Sequence, residues 1–261
     1  MPAVPDDLRR RAEQLPWYHT LDLPGGVVTR GYFDLRALPP QLPLPATLEG
    51  KRCLDIATAN GFWAFELKRR GAEEVVAIDV DPSLLDWPGA VPEPIDPVYA
   101  TRESFELARE ALGSRVRREE LSVYELTPER IGEFDLVFIG SVLLHLRDPV
   151  GALAAAARVL RGELVSLDVV SRTLTLLSRR RPLASLSRRD EPRWWTPNRA
   201  GHLRMAEAAG LEVTSSGTAR LDFGDLLPRM PRSLRPGDIA FAASHRRFGV
   251  PAQWLVARRA R

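Results

Sequence analysis

Cysteine is nearly absent: Cys53 stands alone in 261 residues, which excludes a disulfide framework and leaves too few thiols for a structural zinc site. Lysine is almost missing too, with only Lys51 and Lys68 beside 35 arginines, the bias a GC-rich genome produces. No apolar run approaches the ~18 residues that a transmembrane helix needs. The N-terminal stretch PAVPDDLRRRAEQLPWYHT lacks the apolar centre of a signal peptide. These absences predict a protein of a reducing, cytoplasmic compartment with no metal and no membrane partner. At 44% hydrophobic and 27% charged, the chain is not mainly disordered or collagen-like. Its length suits one generous domain with added caps.

Acidic residues become scarce in the last third. Residues 1–170 carry a net charge of −8, whereas residues 171–261 carry 18 arginines against seven acids, a net of +11. Arginine bias explains arginine over lysine but not the thinning of acids. Such asymmetry is a sign of a basic surface that meets phosphate.

No internal repeat is visible. Residues 6–15 predict a short helix stopped by Pro16, and residues 24–50 read as irregular, so 1–50 is expected to form an arm or lid. From residue 51 onward, short apolar runs alternate with helical stretches, the pattern of a parallel sheet built from crossover units. The first run ends in Asp55, followed by the turn ATANG and a helix from Phe62 to Arg70. The second is EVVAIDVD. Residues 88–98, with four prolines, predict a surface loop, and TRESFELAREALG predicts a helix capped by Thr101. A third strand is expected within 115–121. The fourth is FDLVFIGSVL, followed by a helix that Asp148–Pro149 open and Gly162 terminates. ELVSLDVV is the fifth, Thr196–Pro197 are expected to start one more helix, and LEVTSSG and QWLVARR supply the last two strands. The fold expected is α/β: a doubly wound, seven-stranded, mostly parallel sheet with its last strand antiparallel. Cap segments are expected near 171–195 and 220–250. Ligands of such sheets sit beyond the carboxyl ends of the strands, at the switch point.

The turn Asp55-Ile56-Ala57-Thr58-Ala59-Asn60-Gly61-Phe62 is made of small residues, so its amides can approach a ligand, and the helix start favours an anion such as a carboxylate. Asp79 ends the second strand, where a carboxylate can accept hydrogen bonds from both hydroxyls of a ribose. The turn is not GxGxxG, which argues against a dinucleotide.

These residues resemble those of the class I S-adenosylmethionine-dependent methyltransferases, which have a Rossmann-like fold. The resemblance implies S-adenosylmethionine as cofactor. It implies that Asp55, Ala57, Thr58, Ala59, Asn60, Gly61 and Phe62 hold the methionine portion and that Asp79 and Val80 hold the ribose. Ser122 and Val123 border the adenine in this scheme, and Gly140 follows the fourth strand. Ala57 and Ala59 replace frequent glycines, which predicts a slightly wider turn and is the one feature that favours a non-catalytic binding module. The stretches WYHTLDL, GGVVTRGYFD, LDIATANGFWAFELKRRGA, FDLVFIGSVLLHLRDP and RWWTPN are similar to a subfamily of tRNA wobble-uridine methyltransferases (5-oxyacetic acid or 5-methoxyuridine). That resemblance implies methyl transfer to a hydroxyl oxygen of a tRNA, with a small-molecule acceptor as the alternative. Members that transfer a carboxymethyl group clamp its carboxylate with a Lys, a Tyr and an Arg. Here His19, Leu144 and the pair Gln253–Trp254 stand at those places, which predicts plain methyl transfer.

His19 and His145 are the candidate bases, since neutral imidazole takes a proton near neutral pH; a loop position for His19 and a backbone hydrogen bond for His145 are the plainer readings. Trp194, Trp195 and Asn198, following Arg179, Arg180 and Arg181, suit phosphate contact and base stacking, or one Trp caps the core beside a solvated arginine face. Arg147 is a further acceptor-binding candidate. Trp17 and Tyr18 either cover the cofactor or pack the N-terminal arm.

Overall fold

The structure, a computed structural model, describes residues 4–84, 101–187, 193–224 and 249–260. The proline-rich segment 88–98 and most of the expected cap near 220–250 lie outside these residues. Seven strands form one sheet: β1 (Arg52–Ile56), β2 (Glu74–Asp79), β3 (Arg117–Glu120), β4 (Phe134–Gly140), β5 (Leu160–Val169), β6 (Leu211–Leu221) and β7 (Val250–Arg259). Their spatial order is β6-β7-β5-β4-β1-β2-β3. Strands β1 to β5 run parallel, and β7 runs antiparallel to both β5 and β6. The order reverses between β1 and β4, so the switch point lies beside the end of β1.

The helices are α1 (Val4–Gln14), α2 (Phe62–Arg69), α3 (Arg102–Ala111), the single turn α4 (Pro128–Ile131), α5 (Pro149–Arg158), α6 (Arg172–Leu177) and α7 (Arg199–Ala208). Central strands covered on both sides must be apolar at every position. In β4, Leu136 and Phe138 face the layer of α1, α2 and α3, where Leu8, Leu67 and Phe105 are buried; Val137 and Ile139 face α5 and α7 with Leu153 and Ala206. Each such buried side chain contributes ~1.5–3 kcal/mol by leaving water. Cys53 lies in the first of these layers, and burial pushes its thiol up to about 12, which makes it inert.

Four local expectations need correction. Helix α5 ends at Arg158, and Gly162 lies inside β5, which begins at Leu160. Glycine is required there because a Cβ would collide with the Asp135 carbonyl on β4, a packing demand that reads in sequence like a helix stop. Thr196 and Pro197 belong to a short strand, Trp195–Pro197, paired antiparallel with Ala184–Leu186; α7 starts at Arg199. Thr101 precedes α3, but its side chain makes no cap because its backbone is already helical. The arm is not wholly irregular either: Asp22–Leu23 and Val27–Val28 form a two-stranded ribbon.

Candidate functional site

The carboxyl ends of β1, β2 and β4 converge on the turn between β1 and α2. Ala57 and Ala59 take left-handed backbone angles, φ 59° and 49°, and Gly61 has φ 91°. Each alanine accepts the left-handed conformation a glycine would, at roughly 1–2 kcal/mol. Gly61 has no alternative, since a Cβ would stand 2.5 Å from Phe65 Cε2 and 2.8 Å from Phe105. The turn is held from three sides. The Thr58 amide donates to the Ile78 carbonyl (3.0 Å), the Thr58 hydroxyl to Asp55 Oδ2 (2.7 Å) and the Ala59 amide to Asp79 Oδ2 (2.7 Å). Asp79 Oδ1 accepts from the Val80 amide at 2.9 Å.

Burial pushes the Asp55 carboxyl up to about 7, against the pull of the Thr58 hydroxyl. Asp79 is also raised by burial, with the Val80 and Ala59 amides and the nearby Arg118 charge acting the other way. Each Asp79 oxygen accepts one amide and retains a lone pair for a further donor. Ser122 caps the turn after β3, its hydroxyl accepting from the Tyr124 amide, and Val123 beside it is buried. At Gly140 a Cβ would lie 2.5 Å from the Phe138 ring.

His19 is buried rather than a surface loop residue. Asn60 grips its backbone from the turn: Asn60 Oδ1 accepts from the His19 amide (2.8 Å), and Asn60 Nδ2 donates to the His19 carbonyl (3.1 Å). The imidazole stacks edge-on against Tyr18 and lies 5.7 Å from the Phe62 ring. Its Nδ1 is buried with no hydrogen-bond partner among the described residues, and burial pushes its pKa down to about 3. Trp17 does not cover a ligand: it is buried in the core, and its indole donates to the Ala12 carbonyl at 2.7 Å, packing the arm.

His145 ends the single turn Leu143–His145 after β4 and is half-buried. Two groups absent from the sequence expectations shape this segment. Asp168, at the end of β5, accepts from the Leu143 amide (2.8 Å) and the Val169 amide (2.7 Å), and burial pushes it up to about 7. Ser141 has φ 52°, and its buried hydroxyl finds no hydrogen-bond partner among the described residues. An acid inside the apolar run ELVSLDVV is the one sequence signal for Asp168; Ser141 had none.

Trp194 and Trp195 fasten the later segment to the same turn. The Trp194 amide donates to the Leu144 carbonyl (2.7 Å), the Trp195 indole donates to the Arg147 carbonyl (3.0 Å), and the Arg147 guanidinium lies 4.7 Å from the Trp194 ring. Asn198 is no acceptor-binding residue: its buried side chain is used up by the Leu183 and Gly201 amides and the Ser178 and Arg181 carbonyls. Arg179, Arg180 and Arg181 are exposed on the insertion after β5 rather than in the site. At the three clamp places stand a neutral imidazole, the buried Leu144 and the buried Gln253, none of them a cation.

Residues 54–163 match the family model described as a methyltransferase domain. Over 129 residues the chain is 29% identical to a ubiquinone biosynthesis O-methyltransferase of Nitrosococcus oceani, covering 49% of this chain and 47% of that one. The chain thus spans about half the length of the curated relatives it matches. Among solved structures, the N-terminal domain of EvdMO1 with SAH and D-fucose aligns at TM-score 0.56 and 19% identity, over 98% of this chain and 96% of that one. A putative methyltransferase from Bacillus halodurans C-125 aligns at TM-score 0.54 and 18% identity, over 87% and 99%. Likenesses at these identities carry the fold.

Proposed function

We propose, from the premise that residues 54–163 are a methyltransferase domain of the class I, S-adenosylmethionine-dependent kind, that the chain transfers a methyl group to a hydroxyl oxygen of a small molecule. The observation that carries the cofactor half is the turn tied to Asp79 through the Ala59 amide. It sets a carboxylate with open lone pairs against backbone bent left-handed at three positions, and the unpartnered Ser141 hydroxyl after β4 offers one more donor. When bound, S-adenosylmethionine supplies an electrophilic methyl on a sulfonium. Asp79 would take the ribose hydroxyls, the Ala57–Gly61 turn the methionine portion, and Ser122 and Val123 the edge of the adenine.

The chain's remaining work is to align the acceptor, exclude water and take one proton. Burial that holds His19 near 3 makes protonating it at neutral pH cost ~5 kcal/mol. His19 is therefore a neutral wall that offers a hydrogen-bond acceptor. The proton goes to His145, half-buried on a turn that Asp168 holds by its backbone. A methyl rather than a carboxymethyl donor follows from the clamp places, where a carboxylate would be desolvated without a cation.

The small acceptor is favoured by the tryptophans. The Trp195 indole N–H is committed to the Arg147 carbonyl and the Trp194 ring to the Arg147 guanidinium, contacts that a base-stacking platform would have to give up. The resemblance to a ubiquinone biosynthesis O-methyltransferase supports an oxygen acceptor. A tRNA wobble uridine is the second reading, carried by the exposed Arg179–Arg181 run. Incubation of the protein and S-adenosylmethionine with a panel of phenols and alcohols, or with total tRNA, separates them by the mass gained. Methylated small product supports the first reading. If tRNA gains the methyl group, its affinity should fall steeply with salt as phosphates are neutralised.

A further inference from the structure

The insertion after β5 presents apolar side chains to water in the same stretch as a run of arginines for which no carboxylate partner is seen among the described residues. Leu176 and Leu177 at the end of α6 are 74% and 75% exposed, and Leu186 is 62% exposed. Between Asp168 and Asp190 the sequence has no acid but six arginines: Arg172, Arg179, Arg180, Arg181, Arg188 and Arg189. The four of these that are described are exposed. Elsewhere arginines sit on carboxylates, as in Arg161–Asp135 and Arg258–Glu212.

The leucines are rigidly mounted. Ser171 caps α6 through the Leu174 amide (3.1 Å), and the Ser171 amide donates to the Pro197 carbonyl (2.8 Å). Asn198, fully buried, binds the Ser178 and Arg181 carbonyls and the Leu183 amide. One side chain thus joins the end of α6, the Arg179–Arg181 run and the base of the strand that carries Leu186. Among the described residues nothing covers these leucines, and their ordering serves no part of the described core.

We infer that this insertion is a docking surface for an anionic phospholipid bilayer. Leucines reach the headgroup–acyl boundary while arginines meet lipid phosphates, the two contributions that hold peripheral proteins on membranes. No helix among the described residues is long enough and apolar enough to cross a membrane; a surface that lies on one needs no span. An RNA would satisfy the arginines and leave three leucines wet. A second copy seated on the same patch would set arginine against arginine. The insertion leaves β5 at the sheet's carboxyl end, the end that carries the site. Resting on the proposed function, this places the acceptor among hydroxyl compounds dissolved in the bilayer.

Vesicle co-sedimentation of the full chain tests the surface without any turnover. Phosphatidylcholine vesicles with about one-third phosphatidylglycerol should bind the protein at least tenfold more tightly than pure phosphatidylcholine. The triple variant Arg179→Gln/Arg180→Gln/Arg181→Gln should lose roughly a hundredfold, and Leu176→Ser/Leu177→Ser about tenfold. Thermal melting and S-adenosylmethionine affinity should stay unchanged for the leucine pair, since both side chains are exposed. Equal binding of the leucine pair and wild type overturns the inference. So does wild type that stays in the supernatant with both vesicles, or that binds only tRNA. Vesicle binding with no methylated product would leave the surface standing and remove the proposed reaction instead.

Discussion

Asp79→Ala is expected to weaken S-adenosylmethionine binding by roughly 10- to 150-fold, the ~1.5–3 kcal/mol of hydrogen bonds to a charged group. Two effects act together. The ribose loses the carboxylate that would accept its hydroxyls. The Ala59 amide, now 2.7 Å from Asp79 Oδ2, loses the acceptor that holds the turn in its left-handed form. Asp79→Asn separates the two, because its carbonyl can keep one amide while its NH2 must face the other. It should fall between wild type and alanine. Calorimetry on the three proteins reads the series, with a melting curve to show that each is folded. Equal affinities would put the nucleoside somewhere other than the end of β2.

His145→Ala should lower kcat by about a hundredfold or more, the usual worth of a positioned base, with the affinity for S-adenosylmethionine within a factor of about three. His19→Gln is the companion measurement. A group held near 3 by burial is neutral at every working pH, so glutamine should cost far less in kcat. The reverse pattern would make His19 the base and His145 part of the wall. Asp168 adds a positioning check, for Asp168→Ala should disturb kcat through the Leu143 amide it holds.

Much of this site could be read from residue order. A strand that ends in an acid, a turn of small residues and a second strand ending in Asp79 are local patterns, and each residue lies where its spacing implies. The same holds for the antiparallel β7 and for Asp148–Pro149 opening α5, where Asp148 Oδ1 accepts from the Gly151 amide at 2.8 Å. What could not be read depends on tertiary partners. Gly162 looks like a helix stop but answers to the Asp135 carbonyl on the neighbouring strand β4. Asn198 looks like a polar residue beside two indoles, and only the fold reveals that four backbone groups consume it. His19 in a polar-looking arm is dry because Asn60, 41 residues on, draws its backbone into the core. Asp168 and Ser141 carry no motif at all; their role lies in which loop folds back over them.

Placing the cofactor is the most direct test. A crystal structure of the full chain with S-adenosylhomocysteine should show both ribose hydroxyls on the Asp79 carboxylate, the amino-acid end on the Ala57–Gly61 turn, and the adenine beside Ser122 and Val123. A nucleoside bound away from β2, or a turn between β1 and α2 that makes no contact with it, would contradict the assignment of this sheet end as a methyl-transfer site.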